Sequence, residues 1–113
     1  MKEIKAIIQP FMLDDVCDAL GVVEGMPGLT VSEVLSFGQS RVVGSDGADE
    51  AGTRAFEKKT KLEVVVSDDL APSVIEIIAR TARTGKPGDG KIFVLEVSDV
   101  VRIRTGEHGS GVI

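Results

Sequence analysis

Over residues 2–9 apolar and polar positions alternate: Ile4, Ala6 and Ile8 share one side, Lys5 and Ile7 the other. That period of two predicts a strand, and Pro10 ends it. The period then changes. Leu13, Val16, Cys17 and Leu20 stand at i, i+3, i+4 and i+7, one apolar stripe of a helix, with Asp14 and Asp15 well placed in its first turn. Gly21, Gly25, Pro27 and Gly28 break the helix, and residues 29–37, rich in β-branched and apolar side chains, predict a second strand. Residues 60–66 predict a third. Ser67 to Asp69 then offer capping oxygens, and Pro72 is tolerated in a first helical turn. Val74, Ile75, Ile78, Ala79 and Ala82 trace the inner face of that second helix. Residues 91–97 predict a fourth strand, with Ile92, Val94 and Glu96 facing one way and Phe93, Leu95 and Val97 the other. Residues 100–104 predict a short fifth strand, on which Arg102 and Arg104 share a face.

The order is strand–helix–strand, a long interval, then strand–helix–strand. Two such βαβ units of similar length interleave into an α+β, ferredoxin-like βαββαβ sandwich. It has one antiparallel sheet, two helices on one face and the short C-terminal strand appended. At 113 residues the chain is read as a single domain, 1–113. The alternation leaves apolar residues on the second sheet face as well, which predicts a homo-oligomer that covers it. Residues 38–57 lose all periodicity. A loop of that length inside a small domain is either functional or a passive insertion, and its composition predicts poor order without a partner.

Composition narrows the function classes. With 42% hydrophobic and 27% charged residues the chain is an ordinary soluble one. No apolar run approaches a membrane span, and the alternating N-terminus is no signal peptide, so a cytoplasmic location is expected. The single cysteine, Cys17, excludes an intrachain disulfide, fits a reducing compartment, and lies on a helix stripe as a core residue. One histidine, His108, far from that cysteine, makes no metal cluster. A net charge of −5 and four Phe without Trp or Tyr argue against nucleic acid as a partner.

The segment 84–93 reads T-G-K-P-G-D-G-K-I-F. Its glycines, Gly85, Gly88 and Gly90, allow a sharp turn that aims several backbone N–H groups at one point, as a phosphate requires, and Lys91 adds a cation. The text G-x-x-x-x-G-K resembles most of a P-loop, but Ile92 stands where Ser or Thr would hold magnesium. The segment also runs from helix to strand rather than from strand to helix. It is therefore either an anion cradle of another kind or a plain helix-to-strand turn with Gly85 as its C′ residue. Arg102 and Arg104 either grip one polyanion together or are two solvated cations. The Gly-rich tail from Thr105 onward is expected to be mobile until something docks on it.

These residues resemble the PII signal-transduction family. K-A-I-I-Q-P-F-M-L-D-D-V-x-x-A-L is similar to its first strand and helix, and G-L-T-V-S-E-V-x-x-F-G to its second strand. A-R-T-G-K-P-G-D-G-K-I-F-V is similar to its B-loop signature, and V-R-I-R-T-G-E to its C-terminal motif. The likeness covers nearly the whole chain. It implies a homotrimer of ferredoxin-like subunits with ATP or ADP in the clefts between neighbours. It further implies a cytoplasmic, non-enzymatic regulator whose T-loop (38–57) contacts a target, a membrane transporter or an enzyme. By position, the phosphates would lie against the B-loop (84–91) at Gly88, Asp89, Gly90 and Lys91, with Thr84 counted among the nucleotide contacts. Arg102 and Arg104, in the C-terminal loop (102–113), would reach in from the neighbouring subunit. Gly28, Thr30, Phe37, Gly38, Glu63 and Val65 would line the base and ribose.

The chain departs from the family pattern around the long loop. Uridylylated members carry a Tyr at its tip; here there is none, and Gly52 falls at that place. The common F-G-R-Q becomes F-G-Q-S, so Ser40 stands where the family has a magnesium-coordinating Gln. Gln9 replaces the usual Lys, while Lys59 is retained. Mg2+ would accompany ATP, and Gln39, Ser40 and Lys59 are the contacts implied for a small effector. A nucleotide hydrolase is disfavoured, because the loop offers no general base beyond Asp89 and no P-loop hydroxyl. The remaining alternative is a metal- or small-anion-responsive regulator of the same fold, linked to a transport system.

Overall fold

The computed structural model describes residues 1–37 and 56–113. Their elements run β1 (Lys2–Ile8), a 3-10 turn (Pro10–Met12), α1 (Leu13–Gly21), β2 (Thr30–Ser36), β3 (Glu57–Val66), α2 (Ala71–Thr81), β4 (Gly90–Glu96) and a closing 3-10 turn (Ser110–Val112). The sheet order is β2-β3-β1-β4 with every neighbour antiparallel. This is the expected α+β sandwich. Most of the expected long loop lies outside the described residues. Its last member, Glu57, already opens β3, so the third strand begins three residues before Thr60.

Register explains the core. Ile4 pairs with Val64 and Ala6 with Leu62, so these side chains share one face with Ile8 and Val66. Val16 and Leu20 of α1, and Ala71, Val74, Ile78 and Ala82 of α2, are buried with them in one cluster. Both helices therefore cover the same face. Each fully buried Ile, Leu or Val there contributes about 1.5–3 kcal/mol. Cys17 is half-buried; burial, with Asp14 and Asp18 nearby, pushes its thiol up from the ordinary value, which suits a packing residue.

Details of the expected pattern change. Of the expected inner face of α2, Val74, Ile78 and Ala82 are buried and Ile75 is partly covered, whereas Ala79 is exposed and Ala71 takes a place in the core. The residue preceding α2 is Leu70, without a side-chain cap. Ser67 acts three residues earlier: its Oγ accepts from Leu70 N at 3.3 Å. Asp68 is held by the N-terminal ammonium at 2.9 Å.

The fifth strand over 100–104 does not form. Val101 makes one bridge, to His108, and residues 103–105 turn the chain back. A strand needs a neighbour along its length, and in a lone chain this one finds a single residue. The tail is folded into a small hairpin: Arg102 N donates to Glu107 O (2.8 Å), Gly106 N to Arg102 O (2.7 Å) and Gly109 N to Val100 O (2.9 Å). His108 Nδ1 lies 2.6 Å from Asp99 Oδ2 and holds that carboxyl below its ordinary range.

On the open face, cross-strand pairs interleave charge with hydrophobe: Glu3 with Val65 and Leu95, Lys5 with Glu63 and Phe93, Ile7 with Lys61 and Lys91. Phe93 is 48% and Leu95 41% exposed.

Candidate functional site

The segment between α2 and β4 is shaped by its own side chains. Gly85, Gly88 and Gly90 take φ of +87°, +96° and +105°, in the region that costs other residues a Cβ clash. Asp89 folds back across the turn. Its carboxylate accepts the backbone N–H of Thr84 at 2.8 Å, that of Gly85 at 2.9 Å, and the Thr84 hydroxyl. Thr84 Oγ1 in turn accepts from Lys86 N at 3.1 Å. The Thr84 hydroxyl, then the Gly85 and Thr84 amides, hold the Asp89 carboxyl below its ordinary range. Both Asp89 oxygens are thus engaged within the loop, and this side chain builds the cradle's wall.

Gly90 sits where the loop meets the sheet, opposite Ile8. A Cβ on it would lie 1.7 Å from the Ile7 carbonyl oxygen, so the backbone approach leaves no space for any side chain. Lys91 follows, exposed, opposite Ile7. A groove of about 290 Å³ runs beside the loop, floored by Ile78, Ala82 and Ile92 and rimmed by Arg83, Asp89 and Lys91.

The loop is also held from beneath. Lys59 of β3 is buried, and its Nζ donates to the Gly88 carbonyl at 2.8 Å, with Glu57 Oε2 at 3.7 Å. Gln9, at the end of β1, packs against Gly88, where a Cβ would come 3.0 Å from its Nε2. No periodicity in the sequence could bring these three together, since they come from three separate segments; the family resemblance singles out each of them but does not place them in contact.

The remaining predicted site residues fall into three places. Thr30 pairs with Glu63 across β2 and β3, with Gly28 just before and Val65 two residues further along. The Glu3 and Glu63 carboxyls interact, which pushes the Glu3 carboxyl up and holds that of Glu63 down; Lys61 lies 3.6 Å from Glu63. Phe37 stacks edge-on against Phe56, ring centroids 5.3 Å apart, where the chain leaves and re-enters the described residues. The sequence reading missed Phe56. Gly38, Gln39 and Ser40 lie outside the described residues. Arg102 is not at the cradle within this chain. Its guanidinium meets Glu107 Oε1 at 3.0 Å and the Val112 carbonyl at 3.4 Å, while Arg104 is exposed in the tail turn.

Fold and loop together are those of a small ferredoxin-like protein with a glycine-built turn at one end of its sheet. A family model described as nitrogen regulatory protein P-II matches residues 1–107. Aligned over 118 residues and the full length of both chains, the sequence is 48% identical to the nitrogen regulatory protein P-II of Klebsiella oxytoca. It is also 48% identical, at the same coverage, to nitrogen regulatory protein P-II 1 of Escherichia coli strain K12 and to the P-II of Pasteurella multocida. The chain belongs to the P-II family of nitrogen regulatory signal-transduction proteins.

Proposed function

We propose that this chain is a cytoplasmic, homotrimeric regulator that binds ATP and ADP competitively and acts on a target protein, a membrane transporter or an enzyme, through the T-loop (38–57). The observation that carries the reading is the construction of the B-loop. Its one carboxylate is satisfied internally by Thr84 and Gly85, so what remains for an anion is glycine-flanked backbone N–H groups and the Lys91 ammonium. Those are the donors a polyphosphate needs. The same feature speaks against hydrolysis, because Asp89 is committed to the loop and is poorly placed to serve as a general base. Gly28, Thr30, Phe37, Gly38, Glu63 and Val65 would take the base and ribose. Of the described ones, Gly28, Thr30 and Phe37 lie on or beside β2 and Glu63 and Val65 on β3, on the far side of the sheet from β4 and the loop, which favours a cleft built by two copies, with Arg102 and Arg104 entering from the neighbour. Mg2+ would arrive with ATP. Calorimetry tests the reading directly: ATP and ADP should each bind and compete, and a chain that takes up neither is not a nucleotide sensor.

The trimer rests on the open sheet face, where Phe93 and Leu95 would otherwise stay in water. Light scattering at micromolar concentration should return three times the chain mass; a monomer mass would rule the assembly out.

2-Oxoglutarate, the effector the family resemblance suggests, should bind weakly or not at all in the presence of Mg-ATP. Ser40 gives magnesium a shorter reach than a Gln would. Gln9 supplies no positive charge, and Lys59 is already engaged by the Gly88 carbonyl at 2.8 Å. Titration of the Mg-ATP complex checks this, and a low-micromolar affinity would refute it.

A further inference from the structure

We infer that Lys59 is a positioning residue of the phosphate cradle, setting the orientation of the peptide between Gly88 and Asp89 so that the Asp89 N–H faces away from the sheet, toward a bound anion. The inference rests on the nucleotide reading above and adds to it a residue whose side chain works from below the loop rather than on the ligand.

The Lys59 side chain is 8% exposed, and an ammonium so far from water must be matched by acceptors. Its close acceptor is the Gly88 carbonyl at 2.8 Å; the Glu57 carboxylate stands further off at 3.7 Å. In a trans peptide the C=O and the following N–H point in opposite directions, and the chain has no cis peptides among the described residues. A Gly88 carbonyl turned down onto Lys59 therefore turns the Asp89 N–H up and out. Glycine makes the choice necessary. Gly88, at φ +96°, can follow its peptide into either of two flipped orientations at little steric cost, and only one of them presents a donor to an anion. The presented orientation puts a carbonyl on a buried cation. The flipped one would leave that cation without its nearest acceptor and aim a carbonyl dipole at the phosphate. The loop's other constraints do not decide between them: the Asp89 carboxylate fixes Thr84 and Gly85, and the close approach to Ile7 fixes Gly90.

The test compares Lys59→Met, which keeps the length of the side chain and removes the donor, with Lys58→Met, the same charge change on the exposed neighbouring lysine. Lys59→Gln, too short to reach Gly88, serves as the second variant if the first does not fold. In the ligand-free protein the Gly88 carbonyl carbon and Asp89 amide resonances should move in the Lys59 variants and stay in place in Lys58→Met. Calorimetry should then show ATP and ADP each bound roughly tenfold or more weakly by the Lys59 variants, with Lys58→Met at wild-type affinity. Unmoved resonances, or unchanged affinity in a protein whose wild type binds nucleotide, overturn the inference. A wild type that binds neither nucleotide fails the functional reading instead, and the resonances then judge the brace on their own.

Discussion

Replacing Gly90 with Ala should lower the thermal midpoint by roughly 10–20 °C, corresponding to about 3–5 kcal/mol in a domain of this size. The added Cβ would stand 1.7 Å from the Ile7 carbonyl oxygen and 2.8 Å from its carbon, and both are backbone atoms of the central strand β1. No rotamer change relieves such a clash. Either β4 shifts away from β1, or the loop gives up its left-handed φ of +105°; both disturb the Ile8–Gly90 register that joins cradle to sheet. Gly85→Ala is the internal comparison. Its φ is +87° but nothing lies within 4 Å of the built Cβ, so only the backbone penalty of about 1–2 kcal/mol applies. The two variants should therefore melt well apart, Gly85→Ala nearer the wild type. If Gly90→Ala melts within a few degrees of Gly85→Ala, the close approach to Ile7 does not exist in solution.

That contrast also marks where the sequence could be read and where it could not. Period-2 and period-3.6 patterns report burial on one face, so Ile4, Ala6 and Ile8 on β1, and Val16 and Leu20 on α1, are legible in the sequence. The glycines of 84–91 were legible as a turn, because their density alone excludes an element interior. Which glycine is indispensable was not legible, since Gly90 is singled out only by the Ile7 carbonyl from a strand some eighty positions earlier. Asp89 shows the same limit. The family resemblance counts it among the phosphate contacts but says nothing of its side chain, whose oxygens turn back to Thr84 and Gly85 and leave only its backbone N–H for an anion. The V-R-I-R alternation was real as a pattern and wrong as a strand, because pairing partners are a property of the surroundings. The stripe places Ala79 at its flank, where a methyl group is too small to decide the rotation of the helix, and the helix turns it outward.

Arg102→Ala and Lys91→Ala should each weaken ATP and ADP binding by about one to two orders of magnitude, from the roughly 1.5–3 kcal/mol of a charge-assisted contact. The two losses have different origins. Lys91 is exposed at the start of β4, opposite Ile7 and next to Gly90; its removal deletes a point charge with little rearrangement. Arg102 is held in the tail hairpin by Glu107 at 3.0 Å and by the Val112 carbonyl at 3.4 Å. Glu107 and the bridge from Val101 to His108 fix its place within the hairpin. A guanidinium so placed can keep one nitrogen on Glu107 and offer the others to a phosphate, because its planar fork carries five donors. Arg102→Lys should therefore recover only part of the loss, since an ammonium has neither the second nitrogen nor the plane. A mixing experiment separates the roles. Trimers assembled from Arg102→Ala and Lys91→Ala subunits together should regain a minority of wild-type-affinity sites, because a cleft that takes Lys91 from one copy and Arg102 from its neighbour is sometimes built from two intact halves. Calorimetry on the mixed sample should resolve those tight sites, and their absence, with each parent variant weakened, would mean that both residues serve the same chain's site. Wild-type affinity in both single variants would place the nucleotide elsewhere on the molecule.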